Sequence, residues 1–146
     1  MVELPESVKR LIESRTYANF ATLMPDGSPH VTQTWVDHEG DIILINTPEG
    51  TQKHKNVLRD PRVALDLVDP ANPYNLAVIR GRVIEVTFQG AEEHVDKLAM
   101  KYQGKAKYEM HQPGRRRVLI KVEPVHVVPP WGEDSRWKRW DRAKDS

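Results

Sequence analysis

Six short apolar runs, each closed by turn-forming residues, restrict what this chain can fold into more than any other feature. They are YANFATL (17–23), HVTQTWVD (30–37), DIILINT (41–47), RVALDLVD (62–69), NLAVIRGRVIEV (75–86) and the segment RRRVLIKVEPVHVV (115–128). Pro25, Asp26 and Gly27 in MPDGSP supply the preset φ and the positive φ of a tight turn, so the first two runs form a hairpin. Within 30–37 the pattern alternates, with Val31, Gln33, Trp35 and Asp37 on one face and His30, Thr32, Thr34 and Val36 on the other. The turn HEGD (38–41) leads into a continuous apolar run that reads as a strand buried on both faces. Gly81 marks a bulge or a sharp bend in the fifth run. The last segment reads as a closing strand pair broken at Pro124.

Helical periodicity is confined to short stretches. Leu4, Val8, Leu11 and Ile12 recur at i, i+3, i+4 spacing among Glu, Lys and Arg. In FQGAEEHVDKLAMKYQG (88–104), Ala91, Val95, Leu98, Ala99 and Tyr102 form an apolar stripe and Gly104 a stop. Six or seven strands with two or three short helices, in hairpin order, describe a mainly β antiparallel barrel or sandwich. A length of 146 residues suits one domain, here residues 1–128, with 129–146 as a polar C-terminal tail. A barrel of six strands is too narrow to hold a ligand inside. Any ligand then sits outside, in a groove made with a loop, the tail or a second copy of the chain, which favours a homodimer.

Composition removes several function classes. There is no Cys, so disulfides, thiolate metal sites and Cys nucleophiles are excluded. The six His form no HxxxH or HExxH pair, so no metal site is expected, and they read as surface or strand-end residues. A formal charge of +1 provides no global field for nucleic acid or membrane. The Trp137 and Trp140 pair in SRWKRW (135–140) and the RRR run (115–117) are the features that a single-strand binder would use. With so little net charge, no nucleic-acid partner is expected. MVELPESVKRLIESRT has charges where a secretion signal needs an apolar stretch, and no run is long enough to span a membrane. A cytoplasmic protein is the expectation. GxGxxG, GxxxxGK[ST] and GxSxG are all missing. The carboxylate pairs Glu92/Glu93 and Glu133/Asp134 read as solvated.

One polar segment stands out, NTPEGTQKHKNVLRDPR (46–62), lodged between two apolar runs. Thr47, Thr51, Gln52 and Lys53 offer hydroxyl, amide and ammonium donors around Gly50, whose lack of a Cβ lets backbone N–H groups approach an anion. If Thr51 caps a helix running to Leu58, that helix end adds partial positive charge. An ordinary capped surface helix with solvated Lys and Arg fits the same spacing, and RDPR (59–62) also fits a plain turn.

The order SPHVTQTWVDHEGDIILINTPEGTQKHKNVLRDPRVAL followed by DPANPYNLAVIRGRVIEV resembles the split β-barrel flavin and deazaflavin oxidoreductases related to pyridoxamine 5′-phosphate oxidase. KxxN[LV]xRDPRV (53–63) and DPxNPYxxxxxRGRV (69–83) resemble the branch that uses coenzyme F420, a deazaflavin. The resemblance spans about residues 5–128 and implies a split β-barrel that pairs with a second copy and holds its cofactor in the groove between them. It implies that Thr51, Gln52 and Lys53 meet the cofactor phosphate with Thr47 nearby, and that Thr32, Gln33, Thr34 and Trp35 lie along the ring. Tyr74 and Asn75 match a region that reaches the cofactor from the partner. Members that bind flavin mononucleotide (FMN) often carry S-R-K where this chain has Thr51, Gln52 and Lys53. One cation fewer suits a phosphodiester, so F420 is expected ahead of FMN, with Lys55, Arg59 and Arg62 tracking an anionic tail and His54 a possible helper. The W…RLH ending of true pyridoxamine phosphate oxidases is absent, so pyridoxal phosphate synthesis is not expected. The implied activity is hydride transfer to a small conjugated redox substrate, a quinone, enone or tetrapyrrole; the alternatives are an FMN enzyme or a carrier without turnover. No catalytic acid or base is required, and His30 and Tyr74 are the candidates should a proton donor exist. Trp131, in PPW (129–131), either walls the substrate groove or fills a surface notch.

Overall fold

A computed structural model describes residues 1–130. Those residues form α1 (Glu6–Glu13), β1 (Tyr17–Leu23), β2 (Pro29–Thr34), β3 (Asp37–Glu39), β4 (Ile42–Pro48), α2 (Gln52–Arg59), β5 (Arg62–Asp69), β6 (Asn72–Thr87), α3 (Ala91–Gln103) and β7 (Arg117–Val128). The strands make one seven-stranded sheet in the order β2-β1-β5-β6-β7-β4-β3, antiparallel at every step.

The connectivity forces this sheet to curl. Laid flat, seven strands about 4.8 Å apart would hold the two outermost roughly 29 Å from each other. Yet β2 ends at Thr34 and β3 starts at Asp37, a stretch of chain that spans no more than about 11 Å. The two edges therefore lie side by side, and the barrel stays split along the seam between them. The interior is filled by Phe20, Ile43, Ile45, Leu67, Ile79 and Ile120, all fully buried, with α1 adding Leu4, Val8, Leu11 and Ile12.

The crossing at Trp35 and Val36 corrects the expectation of one continuous strand over 30–37. Val36 is fully buried, so its backbone groups need partners outside the ladder. Helix α3 supplies them. The Val36 N–H donates to the Tyr102 hydroxyl at 3.1 Å, and its carbonyl accepts from Lys101 Nζ at 2.6 Å. Tyr102 donates in turn to the Thr16 carbonyl, and Lys101 to the Ile12 carbonyl at 2.7 Å. The stripe Ala91, Val95, Leu98, Ala99, Tyr102 is buried as its spacing required, and Gly104 closes the helix with φ +69°.

The closing strand pair also needs correction, because 117–128 is a single strand. Gly81 pairs with Pro124 and Arg80 with His126, leaving Val125 as the extra residue of a bulge and 51% exposed. The bulge accommodates a residue that has no N–H to give the ladder. Gly81 is required there for a second reason: a Cβ would lie 2.5 Å from Val122 Cγ1 and 2.9 Å from the Glu123 carbonyl. Among the described residues no helix is long and apolar enough to cross a membrane.

Candidate functional site

Four segments of the barrel wall and its flanking helix end around one open cleft of about 330 Å³. The end of β2 contributes Gln33 and Thr34, followed directly by Trp35; the exit of β4 contributes Asn46 and Thr47. Lys53 enters from the first turn of α2 and Arg117 from the first residue of β7.

The turn between β4 and α2 is tied at several points. Gly50, at φ +81°, adopts a conformation that favours glycine and donates its N–H to His54 Nδ1 at 2.9 Å. Thr51 caps α2 by accepting from the His54 N–H, and its Oγ1 lies 3.0 Å from Thr47 Oγ1. Burial pushes the His54 pKa down, opposed by the Glu49 charge, which suits a neutral ring accepting from Gly50. The Glu49 carbonyl accepts from Arg115 Nε at 2.9 Å, and its carboxylate pairs with Arg116 at 3.2 Å. Asn56 is fully buried and anchors α2 to β1 through Thr22 Oγ1 at 3.0 Å.

Two cations share the cleft, and among the described residues no Asp or Glu lines it. Burial and then the Arg117 charge hold the Lys53 pKa below the usual lysine value, and its ammonium has no hydrogen-bond or ion-pair partner among the described residues. Arg117, 8% exposed, also has its pKa lowered by burial, and its Nε donates to Asn46 Oδ1 at 2.8 Å. An unpartnered, partly desolvated ammonium beside a buried guanidinium is costly unless an anion completes the set. The arrangement is one that a bound anion would compensate.

The other end of the cleft is aromatic. Trp35 stacks on Tyr102 with centroids 4.9 Å apart and 5° between planes, and its ring meets Tyr108 edge-on at 5.9 Å. Tyr108, from the loop before β7, reaches back to the cation end, where the Arg117 guanidinium lies 5.0 Å from its ring centroid. A ligand that fits both ends is elongated, planar at one end and anionic at the other.

Residues 4–129 match the pyridoxamine 5′-phosphate oxidase family. The chain belongs to that family. Among solved structures, a protein described as an F420 reductase is 29% identical, with a TM-score of 0.74 over 86% of this chain and 98% of its own. A conserved hypothetical protein from Mycobacterium tuberculosis is 23% identical, with a TM-score of 0.65 over 87% of this chain and 84% of its own. A putative pyridoxamine 5′-phosphate oxidase from Listeria innocua is 16% identical, with a TM-score of 0.64 over 85% of this chain and 95% of its own. The last two show the fold alone. No curated protein sequence matches the chain. Membership makes the chain an oxidoreductase-type barrel of a fold that binds flavin-type cofactors.

Within this member of the pyridoxamine 5′-phosphate oxidase family, the cleft gathers Gln33, Thr34, Trp35, Thr47 and Lys53 from the residues singled out in the sequence. Thr51 stands directly behind Thr47. Thr32 is one strand position further along, and its Oγ1 is buried without a hydrogen-bond partner among the described residues, as is His30 Nδ1. Gln52 directs its amide to Asn56 Oδ1 at 2.8 Å and does not line the cleft. Tyr74, 78% exposed, and Asn75, bonded to Asp69 at 3.2 Å, lie near the start of β6 and do not line the cleft of their own chain. The Gly50 N–H is engaged by His54 rather than open to an anion. Arg59 donates to the Leu23 carbonyl and Asn56, and Arg62 pairs with Asp60 at 2.7 Å. His54 and His94 are buried rather than superficial, and Glu92 accepts the Arg117 backbone N–H at 2.9 Å instead of being purely solvated. Trp131, Glu133, Asp134, Trp137 and Trp140 lie outside the described residues.

The sequence reading missed Asn46, Tyr108 and Arg117. Arg117 sat in a basic triplet weighed only as charge that a single-strand binder would use, and the signal that distinguishes it is position: it opens a strand whose next residues are apolar, so its side chain begins at the barrel wall.

Proposed function

We propose that the chain is an F420-dependent oxidoreductase that passes a hydride between the deazaflavin and a small conjugated substrate of quinone, enone or tetrapyrrole type, working as a pair of identical chains. The observation that carries a phosphate-bearing cofactor in this cleft is the Lys53 ammonium, without a partner among the described residues, beside Arg117 and in the same cleft as the Thr34–Trp35 strip. Lys53, Arg117, Thr47 and Thr51 would hold the phosphate. Thr32, Gln33, Thr34 and Trp35 would flank the ring, and Tyr74 and Asn75 would approach from the second chain. Bound there, the cofactor supplies hydride chemistry, while the protein's own groups orient it and limit access of water. The likeness to an F420 reductase over nearly all of that protein's length supports the deazaflavin.

FMN is the second reading, favoured by a specific observation: two cations match the charge of a phosphate monoester dianion. Calorimetric titration with each cofactor, with oligomeric mass measured on the same sample, separates the two. Saturable binding of F420 by a dimer is the expected result. Tight binding of FMN without any response to F420 would overturn the assignment.

A further inference from the structure

Behind the cleft, Arg117 is the end of a buried chain of polar groups that runs across the barrel wall to helix α3. Its Nε donates to Asn46 Oδ1 at 2.8 Å. Asn46 Nδ2 lies 2.8 Å from the Ala91 carbonyl and 3.1 Å from His94 Nδ1. His94 Nε2 lies 3.0 Å from Asp37 Oδ2, which also accepts from Lys97 Nζ at 3.0 Å. Arg117, Asn46, His94 and Asp37 are each no more than 9% exposed.

The donors and acceptors fix one another. Asp37 is an acceptor toward both His94 and Lys97, so His94 Nε2 carries its proton and Nδ1 is the acceptor. Nδ1 can then take only the amide nitrogen of Asn46, which turns Oδ1 toward Arg117. With the opposite amide orientation, an N–H would face the Arg117 Nε–H and two donors would collide.

We propose that Asp37 and His94 are positioning residues for the anion seat: they set the Asn46 amide, and the amide aims the Arg117 guanidinium into the cleft beside Lys53. This rests on the reading of the cleft as a phosphate seat. Neither Asp37 nor His94 lines the cleft. They act by removing the rotational freedom of a long side chain before the anion arrives, which is where preorganised sites gain affinity.

The test follows the Arg117 Nε–H signal by ¹⁵N nuclear magnetic resonance while inorganic phosphate is titrated. In the wild type that proton exchanges with solvent at least about tenfold more slowly than the Nε–H of exposed Arg80, and phosphate shifts it saturably. His94→Phe fills the space but offers Asn46 no acceptor; exchange quickens and phosphate affinity falls about tenfold. His94→Gln, which can still accept from Asn46 and donate to Asp37, restores both. A His94→Phe protein with exchange and affinity within about twofold of wild type overturns the proposal. Should His94→Phe not fold, the wild-type imidazole ¹⁵N shifts decide, since a ring protonated at Nδ1 cannot accept from Asn46. Arg117→Met failing to change phosphate affinity would instead sink the phosphate seat itself.

Discussion

Replacing Lys53 by Met separates the stability of the fold from the needs of the site. Met keeps most of the unbranched stem and removes the charge. In the ligand-free protein the ammonium is penalised by burial, then by Arg117, and has no compensating partner among the described residues. Lys53→Met should therefore stabilise that state, by about 0.5–1 kcal/mol. This is the lower part of the range usual for functionally strained sites, because the ammonium keeps a solvated side that screens it. For a chain of this size the gain raises Tm by roughly 2–4 °C. Anion binding should move the other way, losing a charge-assisted hydrogen bond of about 1.5–3 kcal/mol, or roughly 10- to 150-fold in Kd. Urea unfolding at constant m reads the first effect and phosphate or cofactor titration the second. The pH dependence adds a third check. The pKa of free Lys53 is lowered from 10.5, and a bound anion raises it again, so affinity should weaken as pH rises through the interval below 10.5 in which only the free site has lost its proton. Lys53→Arg abolishes that dependence because a guanidinium stays charged. A Lys53→Met protein that is less stable than wild type and binds phosphate equally well would refute the whole line of reasoning.

Three further outcomes are expected. Gly81→Ala places a Cβ 2.5 Å from Val122 Cγ1 and 2.9 Å from the Glu123 carbonyl, and should cost about 1–3 kcal/mol in urea unfolding; wild-type stability would mean that the bulge repacks freely. For Asp37, burial alone would raise the pKa, but hydrogen bonds from His94, Lys97 and the His38 N–H, with the Lys97 charge, pull it well below the usual aspartate value of 3.8. The stability this carboxylate contributes is complete above that value and is lost as pH falls further, so Asp37→Asn should flatten the acid limb of the stability–pH curve below about pH 4; an unchanged limb contradicts the ion-pair account. Tyr102→Phe keeps the stack on Trp35 but strands the Val36 N–H and the Thr16 carbonyl, at about 1–3 kcal/mol, with altered Trp35 fluorescence on melting; no loss of stability would show that water replaces the hydroxyl.

What could be read in the sequence was local chemistry. Periodicity placed the strands at 17–23 and 62–69 and the stripe of α3, because each depends on which side chains must be buried within a few residues. The readings that failed depended on distant partners. Nothing near Trp35 and Val36 announces that Tyr102 and Lys101 will satisfy a backbone leaving its ladder, so 30–37 looked like one strand. His94 looked superficial because its partners, Asp37 and Asn46, come from two strands, β3 and β4, 57 and 48 residues before it in the chain. Thr47 and Lys53 emerged from a compact polar segment, whereas Arg117 reaches the same cleft from a strand that starts 64 residues after Lys53 in numbering.

Arg117 also changes the argument about the cofactor. Counted along the chain, Gln52 in place of a cation left one lysine at the phosphate, and a singly charged phosphodiester followed from that count. Counted in space, Lys53 and Arg117 restore two cations, so local charge no longer prefers the deazaflavin over FMN. The preference for F420 now rests on the motifs 53–63 and 69–83 and on the likeness to an F420 reductase. The polar chain behind Arg117 offers a separate reason for the exchange of roles: the guanidinium is held at Nε by Asn46, which His94 backs in turn, and also interacts with Tyr108. A basic residue at position 52, at the half-buried start of α2, is not in contact with that polar chain. In the proposed seat the second charge therefore comes from the barrel wall, where the hydrogen bond to Asn46 limits its freedom.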